Sequence, residues 1–388
     1  MQSETSEKGR DTKSTLGVGI IGFGAIGQVH AWAHENLAWF YDLPVKTEVR
    51  HVVTSREETA REAAERTGAR GGTDPQALCA AKDIDLVHIC TPNSEHAGHL
   101  RLALDHGKFV YSDKPLTGNL TEAMSLDGRY GGQLRERVGM TFQWRFLPAT
   151  MRAAELIRSG TLGRILSFRM TYLHSGNANP DTPLSWKLTK DAGGGVIADL
   201  ASHLIDLLAS FGADYRSVTA ETSTAFSSRP TADGSMQPVD TEDSVIALIG
   251  ATFPGSNSVA LGSLEASKIA TGTEDELAFE VHGTDGAVRF HSTAADYLEY
   301  YRSDSGLNGW QALQTGRRYP QPARRFPSPK AYIGWLRPHA ACLAESIGAF
   351  AAGRPPHPNG GDALLVEQIM QQMRSGSHAS PHSANISE

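Results

Sequence analysis

The sequence predicts a chain with two different sheets: an N-terminal α/β domain on a doubly wound parallel sheet, and a C-terminal α+β domain on a large, mainly antiparallel open sheet. The chain has 388 residues, which is too long for one ordinary hydrophobic core. Up to about residue 142, short apolar runs alternate with helical patterns, as a parallel sheet requires. Beyond that point, strand-like stretches separated by glycine-rich turns dominate.

Composition is typical of a globular protein that binds neither nucleic acid nor a membrane. Hydrophobic residues make up 40% of the chain and charged residues 20%. The net charge of −7 is mildly acidic, and no basic run is long enough for a nucleic-acid surface. No apolar span approaches the roughly 18 residues that a transmembrane helix needs.

The two ends and the cysteines favour a cytoplasmic protein. Residues 1–15 are polar and lack the apolar segment of a signal peptide, so we expect a disordered tail there. Residues 375–388 are rich in Ser and His and are expected to form a loose tail. Cys79, Cys90 and Cys342 match no metal-binding spacing and cannot all pair as disulfides, which favours a reducing compartment.

The first strand ends in a glycine turn typical of dinucleotide binding. The apolar run 17–21 is followed by Gly22-Phe23-Gly24-Ala25-Ile26-Gly27, which opens a helical pattern. Gly22 permits the tight turn, Gly24 lets the backbone approach a pyrophosphate, and Gly27 lets helix and strand pack closely. The helix N-terminus then faces the phosphate charge. We therefore predict a Rossmann domain over residues 16–143 that binds NAD(P) through Gly22, Phe23, Gly24, Ala25 and Ile26.

The alternation of strands and helices continues through this domain. Strands are expected over 49–53, 85–90, 108–111 and 138–142, with helices over 25–39, 56–66, 94–106 and 119–134. Loops at the carboxyl ends of parallel strands line the ligand crevice of such a sheet. Two of these loops therefore supply further cofactor residues, namely Thr91, Pro92, Asn93, His96, Asp113 and Lys114.

The end of the second strand favours NADP over NAD. An acidic residue there would bind the ribose 2′-hydroxyl, whereas an Arg accommodates a 2′-phosphate. The chain has Ser55 and Arg56 at this position, and its first carboxylates follow at Glu57 and Glu58. Ser55 can donate to a phosphate oxygen, and Arg56 can pair with the phosphate. The alternative is that Arg56 only opens a solvated helix.

We predict that residues 144–374 form an α+β domain for substrate binding and oligomerisation. Its strands are expected over 164–174, 217–223, 243–252, 258–267, 276–282 and 287–291, and its helices over 148–159, 338–352 and 362–373. An antiparallel sheet commonly leaves one face free, which favours a homo-dimer or homo-tetramer through that face. The Pro-rich run 319–330 is interpreted as an ordered excursion or a loop over the site.

A glycine-rich helix start carries a candidate catalytic pair. Gly193, Gly194 and Gly195 lead into a segment whose apolar residues recur at helical spacing. Asp199 and His203 are four apart, so on a helix they share a face. A His oriented by a carboxylate one turn away can accept and donate a proton near neutral pH. Alone, such a pair is also typical of a solvated polar face.

Two pairs of histidines, His30 with His34 and His96 with His99, have helical spacings that occur in metal sites. A metal site needs a third ligand and an open position, and the sequence offers neither. We therefore expect no metal.

Five short motifs occur in order along residues 17–291. They are Gly22-x-Gly24-x-x-Gly27, Cys90-Thr91-Pro92-Asn93-x-x-His96, Asp113-Lys114-Pro115-Leu116, Trp144-Arg145-Phe146-x-Pro148 and Asp199-x-x-x-His203. Together they resemble the Gfo/Idh/MocA family, named for glucose–fructose oxidoreductase and inositol dehydrogenase. Asp113 stands where the family usually has Glu, and Ala201 where it usually has Gly. Both departures leave the ionisable groups in place.

The resemblance implies an NAD(P)-dependent oxidoreductase that acts on a secondary hydroxyl or ketone carbon of a sugar, anhydrosugar or cyclitol. It implies that Lys114 polarises the reacting oxygen, that His203 is the acid and base, and that Asp199 binds a neighbouring hydroxyl. Arg145 would belong to the cofactor site, and Tyr172 and Trp186 would contact the substrate.

Two other functions remain open at this point. The family includes glycoside hydrolases that keep their NAD and oxidise the substrate transiently, and it includes a non-enzymatic co-repressor. The presence of both Lys114 and His203 favours catalysis over a binding role.

Overall fold

The structure, a computed structural model, describes residues 14–306, 308–316, 323–324, 326 and 334–376. The expected tails lie outside these residues, apart from 14–15 and 375–376; residue 15 begins the first strand, and 375–376 end the last helix. The Pro-rich run 319–330 also lies outside them, apart from 323, 324 and 326. Within the described ranges, every helix is too short or too polar to cross a membrane.

The first sheet has six strands: β1 (Thr15–Ile21), β2 (Lys46–Val53), β3 (Arg70–Gly72), β4 (Leu86–Ile89), β5 (Phe109–Ser112) and β6 (Val138–Met140). The helices between them are α1 (Ala25–Phe40), α2 (Glu57–Thr67), α3 (Pro75–Ala80), α4 (Asn93–Asp105) and α5 (Leu120–Arg137). All strands are parallel, in the order β3-β2-β1-β4-β5-β6. This is the doubly wound order of a Rossmann sheet, so the predicted fold class is confirmed here.

Apolar burial on both faces explains these strands. All four residues of β4 are buried, as expected for a parallel strand covered by helices on each side. The sequence patterns did not predict β3 and α3, because the three residues of β3 contain no apolar run and α3 has only six residues.

The second sheet has eight strands: β7 (Ile165–Leu173), β8 (Asp214–Ser223), β11 (Ser244–Thr252), β12 (Ala260–Ser267), β13 (Glu276–Gly283), β14 (Gly286–His291), β15 (Tyr297–Arg302) and β16 (Gln311–Gln314). A separate hairpin pairs β9 (Ser228–Pro230) with β10 (Met236–Pro238). Among these eight described strands, only β7 and β12 run parallel, so the predicted, mainly antiparallel open sheet is confirmed. It extends two strands beyond the predicted set, at β15 and β16.

The remaining α-helices of the described residues are α6 (Pro148–Arg158), α7 (Ser202–Ser210), α8 (Leu336–Ala351) and α9 (Gly360–Gly376). The chain returns to the first sheet through α8, which packs on α1 and shares a core with Val18, Ile20 and Leu37. The final helix α9 packs on α5 of the first domain and on β8 of the second sheet. Because α9 contacts β6 of the first sheet as well as β8 of the second sheet, it joins the two sheets.

Three buried histidines form a hydrogen-bonded row inside the first domain. His88 on β4 contacts His30 through Nδ1 (3.0 Å) and His34 through Nε2 (2.9 Å), both on α1. His34 Nδ1 lies 2.9 Å from the Thr47 hydroxyl. Burial holds the pKa values of all three histidines well below 6.5, and that of His34 at about 3. Although three imidazoles meet, no group of side chains in the described residues has the arrangement of a metal site.

We predict that His34→Gln reduces the loss of stability at acid pH. The unfolded chain protonates His34 below its ordinary pKa of about 6.5, whereas the folded chain keeps it neutral down to about 3. The folded state therefore loses stability as pH falls through this window, by up to ~1.4 kcal/mol per pH unit for this group.

Urea unfolding between about pH 7 and pH 5 measures this slope in the wild type and the variant. His106→Gln, the same substitution at a half-exposed site, is the matched control. Equal slopes in the wild type and His34→Gln would contradict the prediction.

Candidate active site

A cleft of about 810 Å³ lies at the carboxyl ends of the parallel strands. All predicted cofactor residues except His96 and Arg145 line it, namely Gly22, Phe23, Gly24, Ala25, Ile26, Ser55, Arg56, Thr91, Pro92, Asn93, Asp113 and Lys114. Trp186, Lys187 and Asp199 from the second part of the chain close its other side. The cleft is therefore shared by both domains.

The glycine turn fits a dinucleotide. Gly22 has a φ of +89°, and a Cβ there would lie 2.5 Å from the Cys90 carbonyl oxygen. A Cβ at Gly24 would meet no atom within 4 Å, so this backbone is open to the cleft. The N-terminus of α1 follows, with no acidic residue in its first turn. Backbone amides without a competing carboxylate are suited to a pyrophosphate.

Arg56 lies at the rim of this cleft with its main chain fixed. The hydroxyls of Thr54 and Thr59 both donate to the Arg56 carbonyl, at 2.9 and 3.0 Å. The exposed guanidinium makes no hydrogen bond or ion pair with another described residue. It is therefore available to a ligand in the cleft, as Ser55 beside it is.

His96 and Arg145 are the two predicted cofactor residues that do not line the cleft. His96 is fully buried, and its Nδ1 and Nε2 contact the carbonyl oxygens of Pro115 (2.8 Å) and Thr91 (3.0 Å). Arg145 forms a buried ion pair with Asp206. Because these polar groups already have protein partners, the two side chains support the loops that face the cleft.

The glycine-rich segment docks on a loop of the first domain. Asn93 Nδ2 donates to the Gly193 carbonyl (2.7 Å), and Ser94 N donates to the Ala192 carbonyl (3.2 Å). Gly193 has a φ of +76°, and a Cβ there would lie 2.9 Å from Gly118 Cα. Only glycine permits this approach, which brings the segment that follows next to Lys114.

Asp199 is the centre of a cluster of three ammonium groups. Lys114 Nζ donates to its main-chain oxygen (2.6 Å) and to Oδ1 (3.1 Å). Lys187 Nζ lies 3.2 Å from both carboxylate oxygens, and Lys268 Nζ lies 2.5 Å from Oδ2. Burial opposes ionisation of Asp199, but the three charges outweigh it and hold its pKa well below the usual value. The side chain is therefore an anion at neutral pH.

The expected orientation of His203 by Asp199 is wrong. Within the described residues, no hydrogen bond joins the two side chains. Asp199 lies in the π-helical turn Ile197–Ala201, and His203 lies on α7, which begins after that turn. Among the described residues, the side-chain partners of the Asp199 carboxylate are Lys114, Lys187 and Lys268. The carboxylate turns to the lysines instead.

His203 is a buried base among aromatic rings. Its ring centre lies 6.1 Å from that of Phe142 and 5.9 Å from that of Tyr172. Among the described residues, its Nδ1 has no hydrogen-bond partner. Burial, followed by the charge of Lys114, holds the pKa of His203 well below 6.5, although Asp199 opposes this shift. The imidazole is therefore neutral at neutral pH and able to accept a proton.

The two aromatic residues predicted to bind substrate lie in different places. Tyr172 is buried beside the rings of Trp144 and His203. Burial and the nearby Asp275 raise the pKa of Tyr172 well above 10, so its hydroxyl stays protonated. Trp186 is 37% exposed and lies on the rim of the cleft. Tyr172 therefore packs against His203, whereas Trp186 lies at the opening of the cleft.

Sequence reasoning missed two of the three ammonium groups. Lys187 directly follows Trp186, and Lys268 directly follows β12. A charged residue at the end of a strand is a signal that could have drawn attention to Lys268. Its partner, however, lies 69 positions away, and such a contact depends on the packing of β12 against the π-helical turn.

Two family profiles match this chain. Residues 16–129 match an oxidoreductase family with an NAD-binding Rossmann fold, and residues 150–289 match the GFO/IDH/MocA C-terminal domain. The chain belongs to the Gfo/Idh/MocA family of oxidoreductases. The predicted resemblance is thereby confirmed, as is the enzyme class, because the family's relatives include dehydrogenases.

Three relatives illustrate the similarity. Levoglucosan dehydrogenase of Pseudarthrobacter phenanthrenivorans is 33% identical over 374 residues, which cover 91% of this chain and 94% of that one. A solved structure of levoglucosan dehydrogenase with NADH and L-sorbose has a TM-score of 0.87 at 31% identity, covering 94% of this chain and 97% of that one. The scyllo-inositol 2-dehydrogenase (NADP+) IolW of Bacillus subtilis is 26% identical, covering 51% of this chain and 52% of that one.

Proposed function

We propose that this protein is an NAD(P)-dependent dehydrogenase of a sugar, anhydrosugar or cyclitol that acts at a secondary hydroxyl. The observation that carries the proposal is the pairing of a neutral buried base, His203, with the ammonium group of Lys114 at the edge of the dinucleotide cleft. The relatives named above act on such compounds, which supports the substrate class.

Lys114 is oriented to bind the reacting oxygen. An ammonium group has three N–H donors, and Lys114 directs two hydrogen bonds to Asp199. One donor is left for the substrate. A fixed ammonium group stabilises the negative charge that develops on a carbinol oxygen as its proton leaves. Lys114 therefore polarises the oxygen without taking its proton.

His203 takes that proton. Because its pKa is held low by burial and by Lys114, the imidazole is unprotonated before the reaction. The O–H proton of the substrate passes to a ring nitrogen while the C–H bond breaks, and it returns by the same route in reduction. The nicotinamide, when bound, accepts the hydride from the carbon. Asp199 binds a neighbouring hydroxyl and stays ionised throughout.

Turnover of a sugar panel with NAD and NADP, followed by nicotinamide absorbance, tests this proposal. We expect reduction of the cofactor by at least one sugar, anhydrosugar or cyclitol. His203→Asn and Lys114→Met should each lower kcat by about 100-fold or more, because general base and charge stabilisation contribute that much. His203→Asn should bind NADH as the wild type does, because His203 does not line the cleft. Wild-type rates in His203→Asn would contradict the assigned proton transfer.

We propose further that NADP is preferred over NAD, with Ser55 and Arg56 at the 2′-phosphate. The support is that Arg56 lines the cleft and that its guanidinium has no partner among the residues that the structure describes. Arg56→Ala should raise the KM for NADP by about tenfold and leave that for NAD nearly unchanged, because only NADP offers a charged partner. Arg61→Ala, on the exposed side of α2, is the control. Equal effects of Arg56→Ala on both cofactors would contradict the preference.

The chain is also proposed to form a homo-dimer or homo-tetramer through the second sheet. Ile246, Leu248 and Leu261 lie on neighbouring strands and are 53%, 67% and 69% exposed. Contiguous apolar side chains on a sheet face usually mark an interface. Light scattering should give a multiple of the chain mass for the wild type and a smaller particle for Leu248→Glu. A monomeric wild type would contradict this assembly.

A further inference from the structure

Lys268 contacts the catalytic cluster from the second sheet, and no motif pointed to it. It directly follows β12, and its side chain is only 12% exposed. Its Nζ lies 2.5 Å from Asp199 Oδ2, which is closer than either of the other two ammonium groups lies to this carboxylate. The contact joins the end of one strand to the π-helical turn that carries Asp199.

The backbone of Lys268 is fixed on both sides. Its N–H donates to the Asp243 carbonyl (2.8 Å), and its carbonyl accepts from Asn177 N (2.8 Å). Asn177 Nδ2 in turn donates to Asp243 Oδ1 (2.7 Å). Lys187, by contrast, lies on the cleft rim with a side chain that is 45% exposed. Of these two lysines, Lys268 therefore offers the better anchored ammonium group.

We propose that Lys268 is a positioning residue for catalysis, which holds Asp199 so that Lys114 aims one N–H at the substrate. Lys268 takes Oδ2, which leaves Oδ1 and the main-chain oxygen of Asp199 to Lys114. Without Lys268, the carboxylate can rotate towards Lys187 and carry Lys114 with it. Because Lys268 is not among the residues that line the dinucleotide cleft, this role is separate from cofactor binding.

The charges around Asp199 set the sign of the expected pH effect. Lys114, Lys187 and Lys268 face its carboxylate, while His203 and Tyr172 lie nearby and Glu242 binds the Ile197 amide. Loss of one cation weakens the support for the ionised form, so the pKa of Asp199 rises. Protonated Asp199 no longer holds Lys114 by charge. Activity in such a variant therefore falls at a higher pH than in the wild type.

The kinetic test uses Lys268→Met, Lys268→Arg, Lys187→Met and the exposed control Lys190→Met, and it rests on the proposed function. For Lys268→Met we expect kcat to fall by about 10- to 100-fold, because small displacements of a catalytic group have effects of that size. The acid limb of the kcat profile should move up by about one pH unit. Lys268→Arg should return the acid limb to its wild-type pH. Lys187→Met should shift the acid limb by less than Lys268→Met does. An unmoved acid limb in Lys268→Met, with only a lower melting temperature, would overturn the proposal.

A second measurement needs no turnover, and it distinguishes failure of the positioning role of Lys268 from failure of the proposed dehydrogenase function. Pulse acetylation with mass-spectrometric readout reports the free-amine fraction of each lysine. Burial lowers the pKa of Lys268, and Asp199 opposes this shift. Removal of the carboxylate in Asp199→Asn should therefore lower the pKa of Lys268 further, and its labelling should become about tenfold faster for each pH unit by which that pKa falls. Labelling of Lys190 should not change. If Lys268 labels equally in both proteins, the contact and the positioning role are wrong. If it labels as expected but no sugar is oxidised, the proposed dehydrogenase function fails instead.

Discussion

The site depends on one carboxylate that joins three parts of the chain. Asp199 forms ion pairs with Lys114, which follows a strand of the first sheet, with Lys187 on the rim of the cleft, and with Lys268, which follows a strand of the second sheet. A buried carboxylate is costly without partners, and a buried ammonium group is equally costly. Each side therefore needs the other, and the ion cluster fixes how the two domains meet at the cleft.

This arrangement separates the electrostatic and the proton-transfer roles. The carboxylate is used to hold cations, so it does not orient His203, which is instead held among aromatic rings and kept neutral by burial and by Lys114. A positive charge beside a neutral base favours loss of a proton from a bound hydroxyl, because the oxygen gains a counter-charge as the base gains the proton. Gly193 makes this proximity possible, since no side chain fits between its backbone and Gly118.

Features that depend on local pattern could be predicted from the sequence, and features that depend on packing could not. The glycine turn at Gly22 and the buried run of β4 predict the parallel sheet, because period and turn chemistry are local. Spacing identifies Asp199 and His203, but it does not identify the partners of the carboxylate, because Lys114 and Lys268 lie 85 and 69 positions away from Asp199. His96 and Arg145 matched motifs, yet burial gave their polar atoms protein partners. Lys268 required a contact between distant segments.

Transfer of isotope from substrate to cofactor tests the central claim most directly. A sugar substrate found in the panel would carry deuterium on the carbinol carbon, and the mass of the reduced nicotinamide would be measured after turnover. Direct hydride transfer predicts one deuterium in each reduced cofactor and no exchange with water. Deuterium that appears in the solvent, or that stays on a product of glycosidic cleavage while the cofactor remains oxidised, would contradict the dehydrogenase account.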